Sequence, residues 1–166
     1  MTTKNTKHIS IVAVLVVLVL VVIAAVLYFT TRPPAPVNSI KNAAYTVDGK
    51  SIALTGSYAY FGNEAAGDLN NDGQADIAFI FTSQPGGSGT FYYVAVALHT
   101  ADGWTGTNAV LVGDRIAPQT TEIRDGLVTV NYTDRNPGEP FTTKPSLGKS
   151  MYLRIVNGTL TKVNKP

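Results

Sequence analysis

The sequence predicts an all-β domain, an antiparallel sandwich or partly open barrel built from hairpins, preceded by one N-terminal transmembrane helix. Three observations carry that reading. The run from Ile9 to Phe29, ISIVAVLVVLVLVVIAAVLYF, has only Ser10 as a clearly polar residue. After Asn42 no segment keeps helical periodicity for three turns. Instead, short β-branched and aromatic runs alternate with Asp-Gly and Asn-Gly pairs, which tolerate the positive φ angles of type I′ hairpin turns.

The apolar run meets the length a helix needs to cross a hydrocarbon core, about 20 residues, and no charge interrupts it. The rival reading is a cleaved secretory signal, whose apolar region is usually about 7–15 residues long. No small-residue cleavage pattern follows the run; the exit reads TTRPPAPV. Residues 9–30 therefore read as an uncleaved signal anchor, with Tyr28 and Phe29 where interfacial aromatics gather. Lys4 and Lys7 precede the span, while only Arg32 follows closely. That bias places residues 1–8 in the cytoplasm and the C-terminal part outside, as a single-pass cell-membrane protein. Residues 31–42, TRPPAPVNSIKN, are expected to form an extended Pro-rich linker, and residues 43–166 the extracytoplasmic β domain.

Composition removes several function classes. There is no cysteine, so disulfides, thiolate metal sites and cysteine nucleophiles are excluded. Residues 1–42 hold Lys4, Lys7, Arg32 and Lys41 and no acid, whereas the remainder holds nine basic against eleven acidic residues. The basic character thus belongs to the flanks of the span. A nucleic-acid footprint would need it on the folded domain, so no nucleic-acid partner is expected.

Within the domain, Tyr45–Val47 and Ser51–Leu54 are expected to pair about Asp48-Gly49, and Glu122–Arg124 with Leu127–Tyr132 about Asp125-Gly126. Met151–Val156 and Thr159–Val163 flank Asn157-Gly158, and Asp102-Gly103 is a further turn pair. Ile77–Thr82 and Thr90–Leu98 are joined by the loop that contains Gly86-Gly87-Ser88-Gly89. The runs IAFIF and FYYVAVAL are too apolar to alternate, so they are expected as central strands covered on both faces. Trp104, Tyr132 and Tyr152 fit core aromatics with a polar tip at the surface.

One stretch carries metal chemistry. In GDLNNDGQAD, counted from Asp68, oxygen-bearing side chains fall at positions 1, 3, 5 and 9: Asp68, Asn70, Asp72 and Asp76. Gly73 stands at position 6, where a sharp bend is needed, and the carbonyl of Gln74 at position 7 would complete the inner surface of the curl. Ca²⁺ takes six to eight hard oxygen ligands, which suits three carboxylates, an amide, a carbonyl and water. The alternative is a polar turn, because Asp and Asn favour turns through local hydrogen bonds alone. An EF-hand is excluded: position 12 is Phe79 in place of a bidentate glutamate, and no helix flanks the loop.

The stretch YFGNEAAGDLNNDGQADIAFIF resembles a single FG-GAP or VCBS-type unit over residues 60–82: Phe61-Gly62, a spacer, Gly67-Asp68-Leu69-Asn70, Asp72-Gly73, Asp76 and an apolar strand. The resemblance implies a structural Ca²⁺ held by Asp68, Asn70, Asp72, the Gln74 carbonyl and Asp76. Units of that family recur as propeller blades, but no second copy of the loop occurs here, so a propeller is not expected. The whole domain is also similar to small, uncharacterised membrane-anchored bacterial proteins with segments like GDRIAPQTTEIRDG and GGSGTFYY.

Catalytic signals are sparse. His99 is the only histidine beyond the N-terminal flank, and a Ser–His–Asp set could be drawn with Ser88 and Asp102, without a nucleophile-elbow motif. Paired carboxylates for glycoside hydrolysis could come from Asp114, Asp134 and Glu139, although Asp-Arg neighbours in loops are more often ion pairs. The glycine-rich loop lacks the following helix that a phosphate cradle requires. The sequence therefore points to a membrane-anchored, calcium-binding binding or structural module of the cell envelope. Its expected partner is an envelope protein or surface glycan; the alternative is a small envelope hydrolase or hydrolase inhibitor.

Overall fold

The computed structural model describes residues 13–23 and 37–165. Residues 13–23 form a helix, α1, whose large apolar side chains from Val14 to Ile23 all stand about half exposed. Among the described residues no helix is long and apolar enough to cross a membrane. Residues 9–12 and 24–30 of the expected span, the N-terminal 1–8 and residues 31–36 of the expected linker lie outside the described residues.

The domain is built from antiparallel sheets. Its elements are α2 (Val37–Lys41), β1 (Tyr45–Val47), β2 (Lys50–Ile52), β3 (Tyr58–Gly67), β4 (Asp76–Ser83), β5 (Phe91–Thr100), β6 (Gly103–Gly106), β7 (Val110–Asp114), β8 (Ala117–Arg124), β9 (Leu127–Asp134), β10 (Leu147–Val156) and β11 (Thr159–Val163). One sheet runs β3-β4-β5-β6, with β7 also pairing β5; a second runs β11-β10-β9-β8; β1 and β2 form a separate hairpin. Local chemistry sets the turns. Asp48-Gly49, Asp125-Gly126 and Asn157-Gly158 all adopt positive φ at both residues, as type I′ geometry demands. The β5–β6 turn differs from expectation: Ala101 and Asp102 form it, and Gly103 (φ 118°) opens β6 opposite Thr100.

The apolar runs IAFIF and FYYVAVAL become β4 and β5, and both are covered on both faces. Ala78, Ile80, Val94 and Val96 face Val128, Val130, Met151, Leu153 and Leu160 of the four-stranded sheet, giving a sandwich-like core. Ile77, Phe79, Phe81, Ala95 and Ala97 point the other way, into a second core closed by Ile40, Tyr45, Val47 and Leu54. Burial on both sides explains why these strands lose the alternation of a half-exposed strand.

The last part of the stretch expected as an extended linker is α2. Its Ile40 is buried in the second core, and the Tyr45 hydroxyl donates to the Ile40 carbonyl at 2.6 Å. Tertiary burial, which no short-range pattern announces, overrides the preference of the neighbouring prolines for an extended chain. Four further features lay beyond the sequence pattern. The edge strand β3 is interrupted by register shifts at Gly62 and Asn63, both at positive φ, which break its period of two. β6 and β7 are short because each pairs with only half of β5. Between them Thr107 bonds Val96 through backbone and hydroxyl, and the Asn108 amide pairs with both the N–H and the carbonyl of Leu160. Asn108 thereby ties the two sheets together like a one-residue strand.

Candidate metal centre

The loop 68–75 connects β3 to β4, and its shape follows from its side chains. The Asp68 carboxylate accepts the N–H groups of Asn71 (2.7 Å) and Gly73 (2.9 Å), which curls the chain over one turn. The Asn70 side-chain oxygen accepts the Asp72 N–H at 3.1 Å, and Asp72 accepts the Gln74 N–H at 2.7 Å. The Asn70 amide also donates to Asp72 at 3.0 Å. Asn71 (φ 62°) and Gly73 (φ 79°) supply the left-handed residues of the bend. At Gly67 the reason for glycine is space: an added Cβ would lie 2.5 Å from Ile123 Cγ2, where β3 meets β8.

Two residues fix this curl to the fold. Leu69 is buried in the first core. Asp76, 0% exposed at the start of β4, accepts the Leu69 N–H through Oδ2 and the His99 N–H through Oδ1, each at 2.9 Å. One carboxylate thus joins the loop to the end of β5. Burial raises the Asp76 pKa above the ordinary aspartate value, against the lowering effect of its two N–H donors, and the charges of Asp72 and Asp68 push it further up. Asp72 is lowered by the Gln74 N–H and the Asn70 amide.

The five residues expected as ligands are all in this one curl, with Asp68, Asn70 and Asp72 on its arc and Asp76 at its base. Among the described residues no three His, Cys, Asp or Glu side chains converge into a metal-holding group, and Asp68 and Asp72 accept loop N–H groups. The donor set nevertheless fits a hard cation. Three carboxylates share one loop, one of them buried, and among the described residues none of the three is salt-bridged to a basic side chain. Each N–H bond occupies one lone pair, leaving carboxylate oxygens with further acceptor capacity.

His99 and Trp104 were invisible as neighbours of this loop. Their rings stack at 4.6 Å with 21° between planes, beside the His99 N–H that Asp76 accepts. The only available signal was register: once β4 and β5 pair with Ile77 opposite Ala97, Asp76 must lie next to His99.

The other sequence candidates are not brought together. Ser88 belongs to the loop before β5 and His99 to its far end, so the strand's length, about 25–30 Å, separates them. Asp114 is held by Arg115 at 2.8 Å, Asp134 by Lys149 at 2.8 Å, and Glu139 by the Asn136 amide and N–H. The ion pair of Asp134 is therefore with Lys149 across the strands, whereas Arg135 reaches backbone carbonyls. These partners lower all three pKa values, the opposite of what a general acid for glycoside hydrolysis requires. No protein-family model, curated protein or solved structure matches this chain.

Proposed function

We propose that this protein displays a calcium-stapled β domain on the outer face of a membrane, as a binding or structural module of the cell envelope. The observation that carries the reading is Asp76: a buried carboxylate, beside two more, that joins loop to strand and, among the described residues, is salt-bridged to no basic side chain. Ca²⁺ bound by Asp68, Asn70, Asp72, the Gln74 carbonyl and Asp76 would supply the missing positive charge and fix the entry to β4. The FG-GAP-like spacing of residues 60–82 supports the same ligand set. The anchor rests on the apolar run at residues 9–30, of which 13–23 are helical with exposed apolar side chains.

Extracellular calcium modules bind at about 10⁻⁴–10⁻³ M. At ten times the dissociation constant, ligand linkage stabilises the folded state by about 1.4 kcal/mol, a rise of several degrees in Tm. The test is the Tm of the full chain in detergent, in chelator and in millimolar calcium. The wild type should gain those degrees, and Asp72→Ala should gain none. A wild-type melting curve that ignores millimolar calcium would rule the staple out.

A further inference from the structure

At the end of the sandwich away from the acidic loop, residues 135–146 join β9 to β10 without forming any strand. The segment carries its own turns. Asn136 donates from N–H and amide to the Glu139 carboxylate at 2.8 and 3.0 Å, and Glu139 N–H returns to the Asn136 carbonyl at 3.1 Å. Thr143 N–H donates to the Pro140 carbonyl at 2.9 Å, and Arg135 Nε to the Thr143 carbonyl at 2.6 Å. Its base closes where Ser146 N–H donates to the Asp134 carbonyl at 2.9 Å. Such internally bonded surface loops behave as compact units.

Two contacts with Arg115 hold this unit down, a cation–π stack on its side chain and a hydrogen bond to its carbonyl. Phe141, 54% exposed, lies under the Arg115 guanidinium at 3.6 Å, with that of Arg135 at 5.5 Å. Arg135 Nη1 also donates to the Arg115 carbonyl at 2.8 Å. The Arg115 side is rigid. Asp114 takes its Nε and Nη2 along one edge, Thr90 N–H donates to Asp114, and Arg115 N–H donates to the Thr90 carbonyl. Arg115 itself is held at φ 49°, a left-handed conformation that an arginine adopts only under such constraint. With its edge paired, the guanidinium presents a flat face, and Phe141 occupies it.

We propose that residues 135–146 are a latched lid, released when Phe141 leaves the face of Arg115, opening as a unit between Asp134 and Ser146 while both sheets stay folded. Opening uncovers the Arg115 face at the corner that leads into Ile116 of the core. The test is amide hydrogen exchange on the full chain in detergent. Phe141→Ala should speed exchange at Glu139, Thr143 and Ser146 roughly three- to thirtyfold, the range expected for losing one cation–π contact, with Ile80 and Val94 unchanged. Arg115→Lys keeps the charge but loses the planar face and the fork, and should speed the same amides. Rates in 135–146 within twofold of wild type in either variant overturn the latch. So does an acceleration that spreads equally into β4 and β5, which would make the contact part of the global fold.

Discussion

At one end of the five-stranded sheet, Asp68 and Asp72 of the loop lie with Asp76 at the start of β4, and among the described residues no Lys or Arg is paired with any of them. About one strand length away, at the ends of β7 in this sheet and of β9 in the four-stranded sheet, Asp114 faces Arg115, Asp134 faces Lys149 and Glu139 is bonded by Asn136. Only the buried acid departs from the rest, because Asp72 is lowered by its loop hydrogen bonds just as Asp114 and Asp134 are lowered by their partners. Asp114 and Asp134 are held below the ordinary aspartate pKa by their cations, while buried Asp76 is pushed above it. Where the chain provides its own countercharge, acidic loops serve as clasps. Where, among the described residues, no Lys or Arg is paired with them, the acids are the proposed ligands of an external cation, and that contrast underlies the proposal.

The contrast breaks most visibly at Asp76. Asp76→Ala leaves the Leu69 and His99 N–H groups without their acceptor, one of them deep in the structure, and should cost about 2–5 kcal/mol in chemical denaturation, with or without calcium. Asp72→Ala, at an exposed position of the proposed ligand set, should instead leave the chelated domain close to wild type and remove only the calcium response. If both variants behaved alike, the division into a structural and an ion-dependent acid would fail.

A smaller effect is expected at the other end. Asp114→Asn removes a fork between side chains that are 28% and 20% exposed, and should cost about 0.5–1 kcal/mol at neutral pH. Its pH dependence has a definite sign. The folded pKa of Asp114 lies below the unfolded value of 3.8, so its contribution is full above 3.8 and fades as pH falls through the lowered value. The Asn variant should therefore converge on wild type in strong acid. Asp76 runs the other way in chelator. Between 3.8 and its raised value the folded state keeps a proton that the unfolded state has lost, so its contribution to stability falls as pH rises. Denaturation curves at several pH values in chelator separate the two slopes.

Much of the fold was legible because its signals are local. Asp-Gly and Asn-Gly placed three hairpins, and the continuous apolar runs placed β4 and β5. What escaped depends on distant partners. α2 exists because Ile40 is buried under a sheet, and β3 hides its period behind the irregularity at Gly62 and Asn63. The oxygen spacing of residues 68–76 was equally plain, since alternate positions on one curl need no tertiary information. That Asp76 spans to the His99 N–H, 23 residues on, could come only from the register of two strands. The Arg115–Phe141 contact joins two loops whose lengths and sequences say nothing of each other.

The central claim is that the acidic loop, and not the rest of the sandwich, waits for calcium. The most direct measurement follows amide resonances of the full chain in detergent during a calcium titration. The account predicts saturable shifts at Leu69, Gly73, Gln74 and His99, with the amides of residues 135–146 unmoved. Unchanged resonances at Leu69 and His99 through 10 mM calcium, about ten times the weak end of the expected affinity range, would contradict it.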